Sequence, residues 1–324
     1  MTTRQYIRKA SLIVGPDSGD ALDLSELRFS FAVRRGDNET PNSADIRVFN
    51  ISPKASQTIQ KEFTRVVLQA GYEGNFGVIF DGQIKQVRRG RASQTDTYLD
   101  ITAADGDRAY NYSVMAVSLA AGSSGKLNQV QEVLKALAAY GVYQGYLPDL
   151  DNSNLPRGKV MFGMTRDELR TMAKNALTNW SIQNGKLQMV PESAYLPGEV
   201  PVITSETGLV GLPEQMQNGI GLKVLLNPSI KIGQAIKIDN ESLQKYRFSL
   251  ALGSNLSNEL VKSQNKVNND GLYYVMVADH YGDTRGNDWY SELTCLAIDA
   301  TGTLSYSKRM PVGTQSVSMI KRNG

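Results

Sequence analysis

The chain has 324 residues, of which 41% are hydrophobic and 21% are charged, and its formal net charge is +3. A chain of this length can form two or three domains, each with a core of its own. A charge so close to neutral argues against a dedicated nucleic-acid-binding protein, which normally carries a strong basic excess or a basic face.

Cysteine and histidine each occur once, as Cys295 and His280. One cysteine excludes an intramolecular disulfide and a multi-cysteine metal site, and one histidine excludes His-based zinc sites and most catalytic triads. We therefore predict no catalytic, cofactor-binding or metal-binding residues. The amino-terminal residues lack the apolar core of a signal peptide, and no apolar stretch is long enough to span a bilayer. The sequence thus predicts a soluble protein without membrane insertion, made in a reducing cytoplasm.

The first third of the chain shows the period-two alternation of half-buried strands. Apolar residues alternate with polar or small ones over residues 27–34, 45–49 and 98–103. Pro53 precedes a predicted helical turn over 54–63, and the apolar run at 66–72 predicts a strand covered on both faces. A further strand is expected over 78–84, with a bend at Phe80-Asp81-Gly82.

The densest basic cluster of the chain follows, with Arg88, Arg89 and Arg91 beside Gly90. These residues belong to a predicted polar hairpin between residues 84 and 98. A solvated hairpin is one interpretation, and contact with an acidic face of a neighbouring subunit is the functional alternative. No aromatic residues interleave with the arginines, so the cluster gives no indication of base stacking.

The pattern changes from residue 105 to residue 200, where apolar residues recur at helical spacing. One helix is predicted over 127–138, and a second over 165–177 with Thr165 and Glu168 as a capping box. The turn Asn184-Gly185 then suits a two-residue type I′ hairpin, since both positions tolerate positive φ. Its register would pair Ile182 with Leu187 and place Trp180 opposite Met189.

Strands return after residue 201, with predicted strands at 220–226, 230–238, 273–279 and 292–298. The polar stretch 239–270 predicts an exposed loop with one short helix. His280 and Asp283 invite an acid–base interpretation, but Gly282 and Gly286 favour a structural turn instead. A carboxylate-pair glycosidase needs no histidine, but the scattered acidic residues identify no pair.

Three stretches together carry a family resemblance. They are IRVFNIS…AGY…IFDGQI at 46–84, the helix with its hairpin WSIQNG at 180–185, and TGLVGLP…GIGLKVLLNPSIKIGQAIKI at 207–238. Their order resembles the baseplate hub proteins of contractile-tailed bacteriophages, a tail hub family related to the hub part of type VI secretion spike proteins. In that family a similar His-x-Gly-Asp stretch before a Trp closes a hairpin, which agrees with His280 and Trp289.

The resemblance implies a mainly β fold with an α+β middle part and two tube-like antiparallel β-barrels per chain, whose strands can be interleaved in sequence. We expect a first barrel domain at 1–108, a mixed α+β domain at 109–200, a second β-barrel region at 201–310 and a polar C-terminal tail at 311–324.

The function that the resemblance implies is that of a structural virion protein of the tail baseplate, made in the host bacterial cytoplasm. Two barrels per chain would let a homotrimer present six similar faces to a hexameric tail tube while a trimeric spike attaches below. The implied partners are the tail tube or tube-initiator protein, the central spike protein, and baseplate wedge or sheath components. DNA would pass through an axial channel without specific binding. The alternative is a cell-wall-degrading tail enzyme or a cell-wall-binding module.

Overall fold

The computed structural model describes residues 6–122, 125–150, 153–216, 219–238, 271–298 and 310–311. The loop predicted at 239–270 and the predicted tail beyond Pro311 lie outside these ranges. None of the helices within them is long and apolar enough to cross a membrane.

The first sheet half is built from consecutive strands and one helix. Its elements are β1 (Arg8–Gly15), β2 (Leu22–Asp23), β3 (Phe29–Gly36), β4 (Ser43–Phe49), α1 (Pro53–Glu62), β5 (Arg65–Tyr72), β6 (Asn75–Arg91) and β7 (Thr97–Ala104). The predicted alternations are confirmed, because Phe29, Phe31 and Val33 are buried while Arg34 points outward. Each such side chain contributes about 1.5–3 kcal/mol when it is fully buried.

The middle module mixes helices with short strands. It comprises α2 (Asp107–Tyr112), β8 (Val114–Leu119), α3 (Gly125–Ala138), β9 (Tyr143–Gln144), β10 (Lys159–Met164), α4 (Thr165–Ala176), β11 (Thr178–Ile182) and β12 (Lys186–Pro191). The apolar faces of α3 and α4 pack with the hairpin β11–β12 into a separate core.

The second sheet half follows. Its elements are β13 (Ala194–Tyr195), β14 (Val202–Ile203), β15 (Leu209–Met216), β16 (Gly219–Leu225), β17 (Ala235–Ile238), β18 (Leu272–Asp283), β19 (Trp289–Ala297) and β20 (Met310–Pro311). The predicted strand at 230–238 is shorter than expected, because Gly233 has φ +87° and the residues before Ala235 form a turn. Cys295 of β19 is buried in this half's core, where burial raises the pKa of its thiol.

One large sheet links the two halves. Its strand order is β15-β16-β19-β18-β3-β4-β7-β6-β5-β1-β2, with β17 and β14 attached at β18. The halves meet where β18 pairs antiparallel with β3, with Ala278 opposite Arg35 and Asp283 opposite Ser30. The sheet curls into an antiparallel half-barrel. The mainly β fold class with an α+β middle part is therefore confirmed.

The second half also inserts side chains into the core of the first. Leu226 and Trp289 are buried among the residues of β1–β7, and Trp289 Nε1 donates a hydrogen bond to the carbonyl of Gly71 at 3.2 Å. Trp289 thus anchors one half to the other, in addition to the strand pairing.

The bend predicted at Phe80-Asp81-Gly82 is wrong, since β6 runs through these residues without interruption. A Cβ on Gly82 would lie 2.6 Å from Phe80 Cζ and 2.8 Å from the carbonyl oxygen of Ala104. Glycine at this position allows β7 to approach closely instead of turning the chain.

The hairpin prediction is confirmed in turn and register. Asn184 and Gly185 have φ values of 53° and 71°, and Ile182 lies opposite Leu187 while Trp180 lies opposite Met189. The predicted capping box is wrong, although its helix is present. Met164 is the N-cap, and the Thr165 hydroxyl is hydrogen-bonded to Ser113 Oγ at 2.7 Å instead of the helix backbone.

Candidate interaction surface

The solvent side of the sheet carries a charged surface that crosses from one half to the other. Among the side chains that the strand registers place on this side, we call ten the polar face: Arg34, Asp45, Arg47, Arg88, Asp100, Lys223, Asp279, Tyr281, Tyr290 and Glu292. Its four basic and four acidic residues balance in number. Part of it forms a groove of about 540 Å³ between β3, β4, β7 and β18.

Ion pairs on the polar face join neighbouring strands. Arg47 makes a bidentate contact with Asp100, with its Nε 2.7 Å from Oδ1 and its Nη2 2.9 Å from Oδ2. This contact raises the pKa of Arg47. Arg34 Nη1 lies 3.0 Å from Asp45 Oδ2. Bidentate arginine–carboxylate pairs are geometrically specific, so the Arg47 side chain is fixed by Asp100.

Aromatic rings extend the same pattern into the second half. The ammonium group of Lys223 lies 3.3 Å from the ring centroid of Tyr290 and 3.7 Å from Glu292 Oε1. Tyr281 and Tyr290 lie on adjacent strands with their ring centroids 5.4 Å apart. Most cations of the polar face therefore already have a partner within the chain, and the face as a whole is neither basic nor acidic.

The structure separates the predicted arginine cluster. Arg88 lies opposite Asp100 on the polar face, whereas Arg89 and Arg91 lie opposite Leu99 and Thr97 on the other side of the hairpin. Successive side chains of a strand point to opposite faces, so the three cannot form one patch. All three are exposed, and none has an ion pair with another described residue. Whether they contact another subunit stays a prediction.

His280 and Asp283 do not form an acid–base pair in this fold. His280 is 0% exposed, and its Nδ1 lies 2.7 Å from Ser291 Oγ. Burial lowers the pKa of His280 to about 3, which keeps the imidazole neutral. Asp283 instead pairs with Arg28 at 2.8 Å, and this contact lowers the pKa of Asp283. Both residues therefore have structural contacts. Within the part of the chain that is described, no cluster of His, Cys, Asp or Glu could hold a metal ion.

A buried polar cluster lies where the two halves meet the middle module. We call it the seam cluster, and its members are Arg35, Asn42, Asp105 and Gln183. Gln183 Oε1 accepts hydrogen bonds from Arg35 Nη2 at 3.1 Å and Asn42 Nδ2 at 3.0 Å. Its Nε2 donates to the Gly36 carbonyl at 2.8 Å and to Ser181 Oγ at 3.2 Å. The amide thus uses its full hydrogen-bonding capacity.

Asp105 completes the seam cluster by holding the hairpin turn. Its carboxylate accepts hydrogen bonds from the backbone N–H groups of Asn184 and Gly185, the latter at 2.8 Å. Burial raises the pKa of Asp105 to about 6, although the two hydrogen bonds and nearby Arg35 oppose the shift. Burial lowers the pKa of Arg35, because it disfavours the charged guanidinium just as it disfavours the charged carboxylate of Asp105. The middle module is therefore fixed to the sheet through polar contacts.

Comparison with known proteins gives one family and several structural relatives. Residues 16–244 match the family described as baseplate hub gp41. No curated protein sequence matches the chain. The fold is similar to the 43 kDa tail protein of prophage MuSo2 from Shewanella oneidensis, with 7% identity and a TM-score of 0.57 over 91% of this chain and 98% of that one.

Two further solved structures share the fold. The tail protein from Neisseria meningitidis MC58 has 11% identity and a TM-score of 0.56, over 94% of this chain and all of that one. The chain is also similar to one in the Francisella PdpA-VgrG complex, with 7% identity and a TM-score of 0.51, over 95% of this chain and 59% of that one. At these identities the likeness establishes the fold alone.

Proposed function

Because the chain belongs to the baseplate hub gp41 family, a structural family of phage tail baseplates, we propose that it forms a homotrimeric hub. In this role it joins the hexameric tail tube to the trimeric central spike around an axial channel. Baseplate wedge or sheath components contact its outer surface, and the protein resides in the tail of the virion.

The observation that carries this proposal is the division of one sheet into two strand-rich halves. Each half has its own apolar core, and the strands β3 and β18 join the halves side by side. Three copies therefore bring six strand-rich units around one axis, which matches the sixfold symmetry of a tube above and the threefold symmetry of a spike below.

We assign the polar face to the axial channel. Its basic residues are balanced by acidic ones, and Arg34, Arg47 and Lys223 already have carboxylate partners. Strong DNA binding requires cations that neutralise phosphates and release counterions. Paired arginines offer few such contacts, which suits a surface past which DNA must move without being held.

A cell-wall-degrading enzyme is the competing proposal, and the family match favours the hub. The only histidine is buried and neutral, and the thiol of Cys295 is buried as well. We therefore assign no catalytic role to either of these two residues. Release of soluble peptidoglycan fragments by the purified chain, abolished by substitution of one carboxylate, would support the enzyme instead.

The proposed function is tested with the purified full-length chain. Light scattering at micromolar concentration should give the mass of three chains, directly or after addition of spike or tube protein. Electron microscopy of the same sample should show a ring with a central opening. A dimer under all of these conditions, or a trimer without an opening, contradicts the hub.

A further inference from the structure

An exposed apolar surface lies on the two-stranded ribbon formed by β8 and β10. One side of the ribbon is covered, since Met115 and Met161 are buried in the middle module's core. The other side presents Val114, Val160 and Phe162, of which Val160 is 71% and Phe162 78% exposed. We call these three residues the ribbon patch. Contiguous exposed apolar surface of this kind marks an interaction site in a soluble protein.

A second apolar surface lies at the end of the large sheet. β15 is the last strand in the sheet order, so one of its edges pairs with no other strand among the described residues. Val210 and Leu212 of β15 are exposed, with Leu212 at 52%. We call these two residues the edge patch. An open strand edge beside apolar side chains favours contact with another chain.

The charges next to the two patches have opposite signs. Exposed Arg157 lies just before β10, at the end of the ribbon patch. Exposed Glu206 lies in the turn before β15, and exposed Glu214 lies on β15 itself. In the described parts of the chain, none of these three residues takes part in an ion pair. The unpaired charge beside the ribbon patch is therefore opposite in sign to the two unpaired charges beside the edge patch.

We propose that the ribbon patch of one copy packs against the edge patch of the next copy, with Arg157 facing Glu206 and Glu214. This inference rests on the proposed homotrimer and assigns the surfaces that close it. A rotationally symmetric ring of three needs a heterologous contact, in which two different surfaces of each chain meet. Two apolar patches with unpaired charges of opposite sign meet that requirement within a single sequence, and opposite potentials also select the correct partner.

The test is a charge swap in the full-length chain. Two variants each reverse the charge on one side of the contact: the first has Arg157→Glu, and the second has both Glu206→Arg and Glu214→Arg. Each variant should raise the dissociation constant of the trimer about tenfold, as measured by mass photometry over a dilution series. The variant that combines all three changes should return to within about twofold of the wild type, because the charges again have opposite signs.

Apolar contact is tested separately with Phe162→Ser, which should also weaken the trimer about tenfold. Tyr143→Ser is the matched control, since Tyr143 is 61% exposed but belongs to neither patch. It should leave assembly unchanged. Circular dichroism and thermal melting of each variant establish that the chain is folded before its assembly is interpreted.

The outcomes separate this contact from the proposed function. A wild-type trimer that tolerates both single-sided charge reversals, or a combined variant no better than the weaker of its parents, overturns the contact and leaves the hub standing. A wild-type chain that forms no trimer under any of the hub conditions overturns both.

Discussion

Asp105 and Gly185 are joined by a 2.8 Å hydrogen bond from the Gly185 backbone N–H to Asp105 Oδ1. Asp105 follows β7 of the first sheet half, and Gly185 lies at the tip of the β11–β12 hairpin. This contact is one of several that tie the middle module to the sheet, and the hairpin turn must keep its conformation for the contact to form.

Gly185→Val is expected to destabilise the chain by roughly 1–3 kcal/mol, because a β-branched residue would be forced to adopt a positive φ. The φ of Gly185 is 71°, and an added Cβ would lie 3.4 Å from the carbonyl oxygen of Gly141. Thermal unfolding should show a lower Tm. Lys186→Val places the same side chain at the next, exposed strand position and serves as the control. Equal Tm values for the two variants would refute the argument.

Asp105 gives a pH dependence whose sign can be stated. Its pKa is raised from 3.8 to about 6 in the folded chain, so the folded state binds a proton more tightly than the unfolded state does. Stability from this group is present below pH 4 and is lost as the pH rises through 6, by about 3 kcal/mol. Asp105→Asn should lack this loss. Urea unfolding from pH 4 to pH 7 measures the difference, and parallel curves for the two proteins would contradict it.

His280 gives a pH dependence of folding stability of the opposite sign. Its pKa is lowered from 6.5 to about 3, so the folded state releases a proton that the unfolded state would bind. Stability from this group is present above pH 6.5 and is lost as the pH falls toward 3, by about 5 kcal/mol. His280→Gln, which can still hydrogen-bond Ser291, should be less acid-sensitive than the wild type. An unchanged acid midpoint in urea or thermal unfolding would show that the imidazole is not the cause.

Because Arg88 lies on one side of the hairpin and Arg89 and Arg91 on the other, we expect their substitution to affect trimer assembly differently. If Arg89 and Arg91 contact an acidic surface of a neighbouring subunit, Arg89→Glu with Arg91→Glu should raise the trimer dissociation constant several-fold, since exposed pairs each contribute about 0.2–1 kcal/mol. Arg88→Glu is the control, because Arg88 lies on the other side of the hairpin beside Asp100. Sedimentation at low and high salt measures both. Equal weakening by the two variants would argue against a contact confined to one side.

The sequence predicts most of the fold where local chemistry decides the conformation. The hairpin at Asn184-Gly185 is predictable to the register, because the turn residues and the alternating apolar residues favour the same pairing. The alternating strands β3, β4 and β7 are predictable for the same reason, since one face of each strand is buried and a register shift of one residue would expose that face.

The seam cluster was not predictable, because its contacts join residues far apart in the chain. Arg35 occupies an inward position of β3, on the same face as Phe31 and Val33. This alternation along the strand is the only feature of the sequence that indicates that Arg35 is buried. The acceptor Gln183 lies 148 residues away. The capping-box prediction is wrong for a similar reason, since the hydroxyl of Thr165 is hydrogen-bonded to Ser113 Oγ. Tertiary partners decide such positions, and a local pattern does not identify them.

Burial of Cys295 makes the wild-type chain a suitable background for site-specific labelling. The side chain is 0% exposed, and its raised pKa leaves almost none of the nucleophilic thiolate at neutral pH. A maleimide reagent should therefore leave the folded protein unmodified and react only after unfolding. A cysteine introduced on the surface would then be the single reactive thiol, and a fluorophore attached there could report distances between copies without removal of the native residue.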